Sequence, residues 1–363
     1  MLSIIDWAVV ALYLLGLVTV SLYLSRQQTS AEDYFVASNS GNALSIALSV
    51  MATQCSTNSI LGAPAFVAFV VGGGLVWLQY ELALPLAMIF IAIFLIPIFH
   101  RERLVSVYLY LGRRFDEKTQ WLISGLFQVS RAAVAGITVY GVASMVSVVT
   151  GLSFTQSVLL FGAITIVYDV LGGIRAVIIS DVVQMVILTS VLGYLAFLLA
   201  ASAGGLGEML AQLPAERTAA LSFRHHGLGD GHDFAFLPML IGGFFLYVAY
   251  YGCDQSQVQR QLCAASQDDA QKVLVINGFL RFPLVLLYCL IGAGLAVYAT
   301  SQPDFLESLP MVNDAPNYNM ALPALIAREL PVGLVGLAVV ALLAAAMSSL
   351  DSVINSLSAT TLK

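Results

Sequence analysis

Residues 45–66 read SIALSVMATQCSTNSILGAPAF, and the fold turns on how this stretch is interpreted. Apolar residues flank a centre made of Thr53, Gln54, Cys55, Ser56, Thr57, Asn58 and Ser59. Such a run inside a hydrophobic span is costly in lipid unless it faces protein or a water-filled cavity. Gly62 and Pro64 follow, and proline removes a helical hydrogen bond. The stretch therefore predicts a helix interrupted within the membrane. An interrupted helix offers carbonyls to a cation and amide N–H groups to an anion, as transporters require. Small residues set for close helix packing are the bland alternative.

The rest of the chain agrees with a membrane setting. Of 363 residues, 59% are hydrophobic and 10% charged, and mean hydropathy is +0.90. Soluble domains carry about 25% charged residues, so an integral membrane protein with many helical spans is expected. The net charge of −6 is less informative than where the charges fall. Cys55, Cys253, Cys263 and Cys289 lack metal-ligand spacing and read as free thiols. The first hydrophobic segment is too long and too weakly basic at its start for a cleaved signal peptide.

Hydrophobic runs predict spans near 4–24, 43–70, 75–99, 119–149, 153–172, 176–201, 235–252, 273–299 and 331–358. With the N-terminus outside, ten Lys and Arg residues fall in inner loops and three in outer loops, while Arg131 and Arg281 lie inside spans. That bias matches the positive-inside rule. The inner group includes Arg103, Arg260 and Lys363. Segment 101–118 predicts a short amphipathic helix at the inner surface. The outer segment 202–234, with His225 and His226, predicts a solvated loop rather than a metal site. The chain stops just after a polar helix, so a C-terminal truncation is expected, with Asp351, Ser352, Asn355 and Ser356 left facing lipid.

Six stretches in order carry a resemblance: AEDYFVAS (31–38), MATQCSTNS (51–59), VYLYLGRRF (107–115), LGGIRAVIISDVVQ (171–184), DQSQVQRQLCAAS (254–266) and AAAMSSLDSVINS (344–356). Together they resemble the sodium/solute symporter family, most closely its bacterial sodium/sialic acid members. The resemblance implies an all-α, LeuT-type five-plus-five inverted repeat with one extra N-terminal helix. It makes 1–363 a single transporter domain: 4–24 is the extra helix, 43–201 the first repeat and 235–358 an incomplete second one. It also implies a bacterial inner membrane location and sodium as the coupling ion.

Residue roles follow from the same resemblance. A first sodium is expected at the carbonyls of Ala52, Cys55 and Ala345 and the hydroxyls of Ser348 and Ser349. The chemistry is sound on its own terms, because hard cations favour oxygen ligands. Ala345, Ser348, Ser349 and Ser352 also share one helix face, which could equally be a packing face. A second sodium is expected at Asp181, Ser348 and Ser352, with Asp351 where sialic-acid members carry serine. Asp351 either strengthens that site or takes a proton, and Asp181 has a bland reading as a helix-end residue.

Arg131 lies about twelve residues into its predicted span, where a guanidinium needs a partner or water. Its planar fork suits a carboxylate. The structural alternative is an ion pair from another helix, with Glu81 the main candidate. The resemblance places Arg131 opposite Ser56 and Ser59, adds Gln79 as a polar contact, and makes Tyr247 and Tyr250 substrate or gate residues. The expected function is sodium-driven uptake of an organic anion, with sialic acid foremost. Another carboxylate, an amino acid or a transporter-like sensor domain are the alternatives. An enzyme is not expected, since no catalytic set or phosphate loop stands at membrane depth. The expected partners are a small anionic molecule and the bilayer, without nucleic acid, and oligomeric state stays open.

Overall fold

Helix α1 spans Ile4–Ser25, and the polar centre then separates α2 (Ala43–Gln54) from α3 (Thr57–Phe69). At the break Cys55 has ψ 60° and Ser56 has ψ 163°, so helical register is lost over two residues. The Cys55 N–H turns back onto the Met51 and Ala52 carbonyls, while Ser56 donates to the Gln54 carbonyl. Short polar side chains favour such local alternatives to the helical ladder. In this computed structural model the described residues are 2–26, 34–35, 42–102, 104, 106–232 and 234–361. Most of the 31–38 motif, Arg103 and Lys363 therefore lie outside the described residues.

The remaining principal helices are α4 (Trp77–Arg101), α5 (Val107–Arg114), α6 (Glu117–Thr150), α7 (Phe154–Ser202), α8 (Phe236–Cys253), α9 (Gln255–Leu262), α10 (Gln267–Ser301) and α11 (Leu334–Thr361). Seven described helices are long and apolar enough to cross a membrane, whereas α2 and α3 are each too short. The stretch labelled α7 holds both expected spans, 153–172 and 176–201, as two helical arms that meet at a non-helical kink at Gly173. Gly173 has φ 56° and ψ −173°, a conformation that costs any side-chain-bearing residue dearly. Helix α5 falls within the segment read as amphipathic.

A second interruption separates α8 from α9 at Asp254, whose backbone is extended at φ −86° and ψ 122°. All eight residues of α9 are buried, although six of them are Gln, Ser or Arg. Two of the glutamines donate across the bundle: Gln259 to the Phe35 carbonyl at 2.7 Å and to Asn355 Oδ1 at 2.6 Å, and Gln261 to the Tyr251 carbonyl at 2.7 Å.

Helix α11 runs through the middle of the bundle against α1, α2, α6, α7 and α9. Asp351, Ser352, Asn355 and Ser356 are at most 2% exposed, so they do not face lipid as the sequence suggests. Neighbouring helices within the described residues already enclose them. Asp6 fixes the other end of α11, its Oδ1 accepting the Gly333 and Gly336 amides at 2.7 and 2.8 Å. A carboxylate there satisfies amides that a helix start leaves open. A Cβ on Gly336 would stand 2.6 Å from the Asp6 Cα, so this approach requires glycine.

Two apolar clusters complete the interior, one joining α1, α3, α6, α7, α10 and α11, the other α2, α4, α8, α9 and the start of α10. Outward faces are apolar as well: Trp121, Leu126, Val129 and Ile137 of α6 are 57–74% exposed, a surface suited to lipid. The 202–234 segment lies over the ends of α3 and α4, where the Leu75 amide donates to the Arg217 carbonyl at 2.8 Å. Arg217 Nη1 in turn donates to the Val67 carbonyl at 2.9 Å. Apart from a ribbon pairing Met311–Val312 with Ala315–Pro316, the described residues form helices and loops.

Candidate functional site

A cavity of about 250 Å³ opens beside the break between α2 and α3. Ser56, Arg131, Tyr247 and Tyr250 line it, four of the six side chains expected at the substrate. Thr53, Gln54 and Asn58 from the polar stretch join them, with Ser256 of α9 and Ser349 of α11. The buried Gln54 Oε1 has no hydrogen-bond partner among the described residues, and an unmet acceptor of this kind is costly unless a ligand or water serves it.

Two expected side chains lie elsewhere. Ser59 lines a separate cavity of about 680 Å³, with Asn58 shared between the two. Gln79 is fully buried and holds the 202–234 segment, donating to the Phe234 carbonyl at 2.7 Å and accepting from the Ser222 amide at 3.1 Å. Its polarity inside a span reflects loop anchoring in this structure.

Arg131 projects from α6 with its side chain 17% exposed and pairs through Nη2 with Asp254 Oδ2. Its guanidinium also lies 5.3 Å from the centroid of the Tyr250 ring, in cation–π range. The pairing with Glu81 considered from sequence does not form. Glu81 instead engages Arg281, at 2.8 Å to Nε and 3.3 Å to Nη2, and accepts from the Tyr247 hydroxyl at 2.9 Å. That triad ties α4, α8 and α10 together.

The helices that carry the expected first-sodium ligands, α2 and α11, pack against one another. Thr53 and Ser352 hydroxyls are 2.9 Å apart, joining the two helices. Ser348 donates to Asp181 Oδ1 at 2.5 Å, which leaves its oxygen lone pairs free to face a cation. Ser349 points back to the Ala346 carbonyl at 3.0 Å and lines the cavity. Its bond is a local one that a cation ligand can exchange without breaking a contact between helices. Ala52 and Cys55 end the half-helix, where ψ 60° turns the Cys55 carbonyl out of register.

Asp181, Ser348, Asp351 and Ser352 also come together, but around an arginine. Arg260 of α9, 1% exposed, donates through Nη2 to Ser352 at 2.5 Å and to Asp181 at 3.3 Å, with Asp351 Oδ1 3.9 Å away. Its Nε donates to Ser49 at 2.8 Å and its Nη1 to the Ser256 carbonyl at 2.9 Å. Ser49 also donates to Asp181, and Tyr168 donates to Asp351. Arg260 is thus no inner-loop cation. Three of the four groups expected around a second sodium, Asp181, Asp351 and Ser352, already share a guanidinium, and Ser348 joins them through Asp181.

Residues 34–363 match the sodium:solute symporter family. The chain belongs to that family. Among its members, the sodium/sialic acid symporter NanT of Aliivibrio fischeri is 30% identical over 357 residues, covering 96% of this chain and 67% of that protein. A putative sodium-dependent multivitamin transporter of Drosophila melanogaster is 28% identical, covering 99% of this chain and 58% of that protein. The chain thus spans about three-fifths to two-thirds of the length of these relatives. A solved structure of a substrate-bound, outward-open Na+-coupled sialic acid symporter superposes with a TM-score of 0.88 at 25% identity, covering 99% of this chain and 72% of that one. Symporters of this family are transporters, not enzymes, and the chain is accordingly a multi-pass membrane protein.

Asp254 and Arg260 are the site residues that sequence reasoning missed. Both sit in the DQSQVQR motif, whose low hydropathy reads as a loop. The usable signal was charge bookkeeping: a membrane interior holding Asp181 and Asp351 needs a cation within reach.

Proposed function

We propose that this chain forms the binding core of a sodium-coupled symporter that takes up an organic anion, with sialic acid the substrate class it fits best. The observation that carries this reading is Arg131 facing a cavity shared with Ser56, Gln54 and Asn58 of the broken helix and with Ser349 of the expected sodium set. A guanidinium fork binds a carboxylate, and hydroxyl and amide groups opposite it bind polyol oxygens. In this reading Ala52, Cys55, Ala345, Ser348 and Ser349 hold one sodium, Arg131 holds the carboxylate, and Tyr247 and Tyr250 flank it. Ser349 adjoins both places, so occupancy of one can favour the other.

The proposed architecture is the five-plus-five inverted repeat with α1 as the extra helix and part of the second repeat. The two interruptions support it, because each falls in the first helix of its repeat: Gln54–Thr57 in one, Cys253–Gln255 in the other. Paired discontinuous helices are the mark of such repeats. The proposed setting is a bacterial inner membrane with the N-terminus outside, on the distribution of Lys and Arg.

The multivitamin relative, nearly as similar as NanT, favours keeping a different carboxylate as the second reading. Uptake of labelled N-acetylneuraminate into proteoliposomes tests the first. Accumulation is expected only with an inward sodium gradient. Equal uptake with and without the gradient would remove sodium coupling, and sodium-driven uptake of other carboxylates alone would favour the second reading.

A further inference from the structure

We propose that Asp254 is a built-in, displaceable ligand of Arg131, and that a substrate carboxylate binds by taking its place. The inference rests on Arg131 being the anion-binding group of the preceding section. It begins from how Asp254 divides its two oxygens. Oδ1 caps α9, accepting the Ser256 amide at 2.9 Å and the Ser256 hydroxyl at 2.5 Å. Oδ2 meets Arg131 Nη2. Releasing the arginine therefore leaves the helix cap in place.

Exposure makes the exchange affordable. The Arg131 and Asp254 side chains are 17% and 11% exposed, while the Arg260–Asp181 pair is 1% and 0% exposed. Water that reaches the first pair can resolvate Asp254 when it lets go, which lowers the penalty of separating the charges. Arg131 also faces the cavity, with one face on the Tyr250 ring, so an incoming carboxylate approaches from the open side. An internal ligand of this kind lowers apparent affinity by the fraction of molecules in which the arginine is free.

The location of Asp254 gives the exchange a consequence. It is the residue at which α8 ends and α9 begins. The Ser256 carbonyl, two residues on, accepts from Arg260, which in turn reaches Asp181, the acceptor of the Ser348 hydroxyl. Anion capture at Arg131 thus alters a junction that is linked by direct hydrogen bonds to the proposed sodium ligand Ser348.

The test is equilibrium binding of N-acetylneuraminate and of its methyl ester, at fixed saturating sodium, to the parent, Asp254→Asn and Arg131→Ala. Asparagine caps a helix as well as aspartate, but brings no charge to the arginine. Asp254→Asn is expected to bind the acid on the order of tenfold more tightly, as for a competent fraction near a tenth, and to leave ester binding unchanged. An unchanged or weakened acid affinity, with Arg131→Ala losing the acid, would overturn the displacement while sparing the anion site. An equal gain for acid and ester would assign Asp254 a structural role only and would also overturn it. Parent-like acid binding by Arg131→Ala would remove the anion-site reading, and this proposal with it. Should Asp254→Asn melt well below the parent, Asp254→Ser, which retains a capping oxygen, gives the same discrimination.

Discussion

Arg131 and Arg260 are both arginines inside a membrane bundle, both paired with aspartate, and the structure treats them in opposite ways. Arg260 is 1% exposed and held by Ser49, Ser256, Ser352 and Asp181 from four helices, with Asp351 nearby. Arg131 is 17% exposed, meets one carboxylate and otherwise faces a cavity and an aromatic ring. A sealed guanidinium with five neighbours neutralises buried carboxylates and locks helices together. A guanidinium with one neighbour and an open side can change partners. Burial and partner count, rather than depth along a helix, separate a structural charge from a binding one.

The largest effect that can break this contrast concerns Arg260. Arg260→Met leaves Asp181 and Asp351 without their cation, and breaking such a buried pair costs about 3–5 kcal/mol. A large fall in thermal stability in detergent, or failure to purify as a single species, is expected. Arg131→Ala should cost less stability than Arg260→Met, because its pair is the more solvated of the two and it has a single carboxylate partner. Equal destabilisation by the two substitutions would erase the distinction.

A smaller effect is expected at the proposed sodium ligands. Ser348→Ala and Ser349→Ala should each raise the sodium concentration for half-maximal uptake, by an amount equivalent to about 1–3 kcal/mol. Ser349→Ala should do so without loss of stability, since its hydroxyl bonds only its own helix. Ser348→Ala should lower stability too, because that hydroxyl joins α11 to Asp181 of α7. Unaltered sodium dependence in the double substitution would place the ion elsewhere.

The smallest and sharpest effect concerns ion number. A second sodium at Asp181, Ser348, Asp351 and Ser352 has to share the oxygens of Asp181, Asp351 and Ser352 with Arg260. If it does, Asp181→Asn should bring the Hill coefficient for sodium from above one towards one, while half-saturation at the first site persists. A parent coefficient of one would mean that the guanidinium serves as the only cation of that cluster.

Much of this was legible in the sequence. The run from Thr53 to Ser59 announced the break, and Arg131 announced itself by its charge within a span. Helix positions followed from hydropathy, including the two spans that meet at the non-helical Gly173. Partner choice was not legible. Glu81 finds Arg281 200 residues away, and local sequence holds no trace of that pairing. Gln79 shows the converse error, since a polar residue in a span anchors a loop as readily as it lines a cavity. The hardest case was α9, where Arg260 is solvated by protein groups from α2, α7 and α11, Gln259 by Asn355 of α11 and Gln261 by the Tyr251 carbonyl of α8. Hydropathy assumes that polar means wet, and α9 is polar and dry.

The central claim is that Arg131 recognises the charge of its substrate. The direct measurement is the ratio of affinities for N-acetylneuraminate and its methyl ester in the parent and in Arg131→Ala, at saturating sodium. The ester replaces the ionised carboxylate by a neutral, methylated group and leaves the rest of the sugar unchanged. The parent should prefer the acid by about tenfold or more, the worth of a charge-assisted bidentate contact, and the preference should collapse in Arg131→Ala. The same ratio in both proteins would contradict the account.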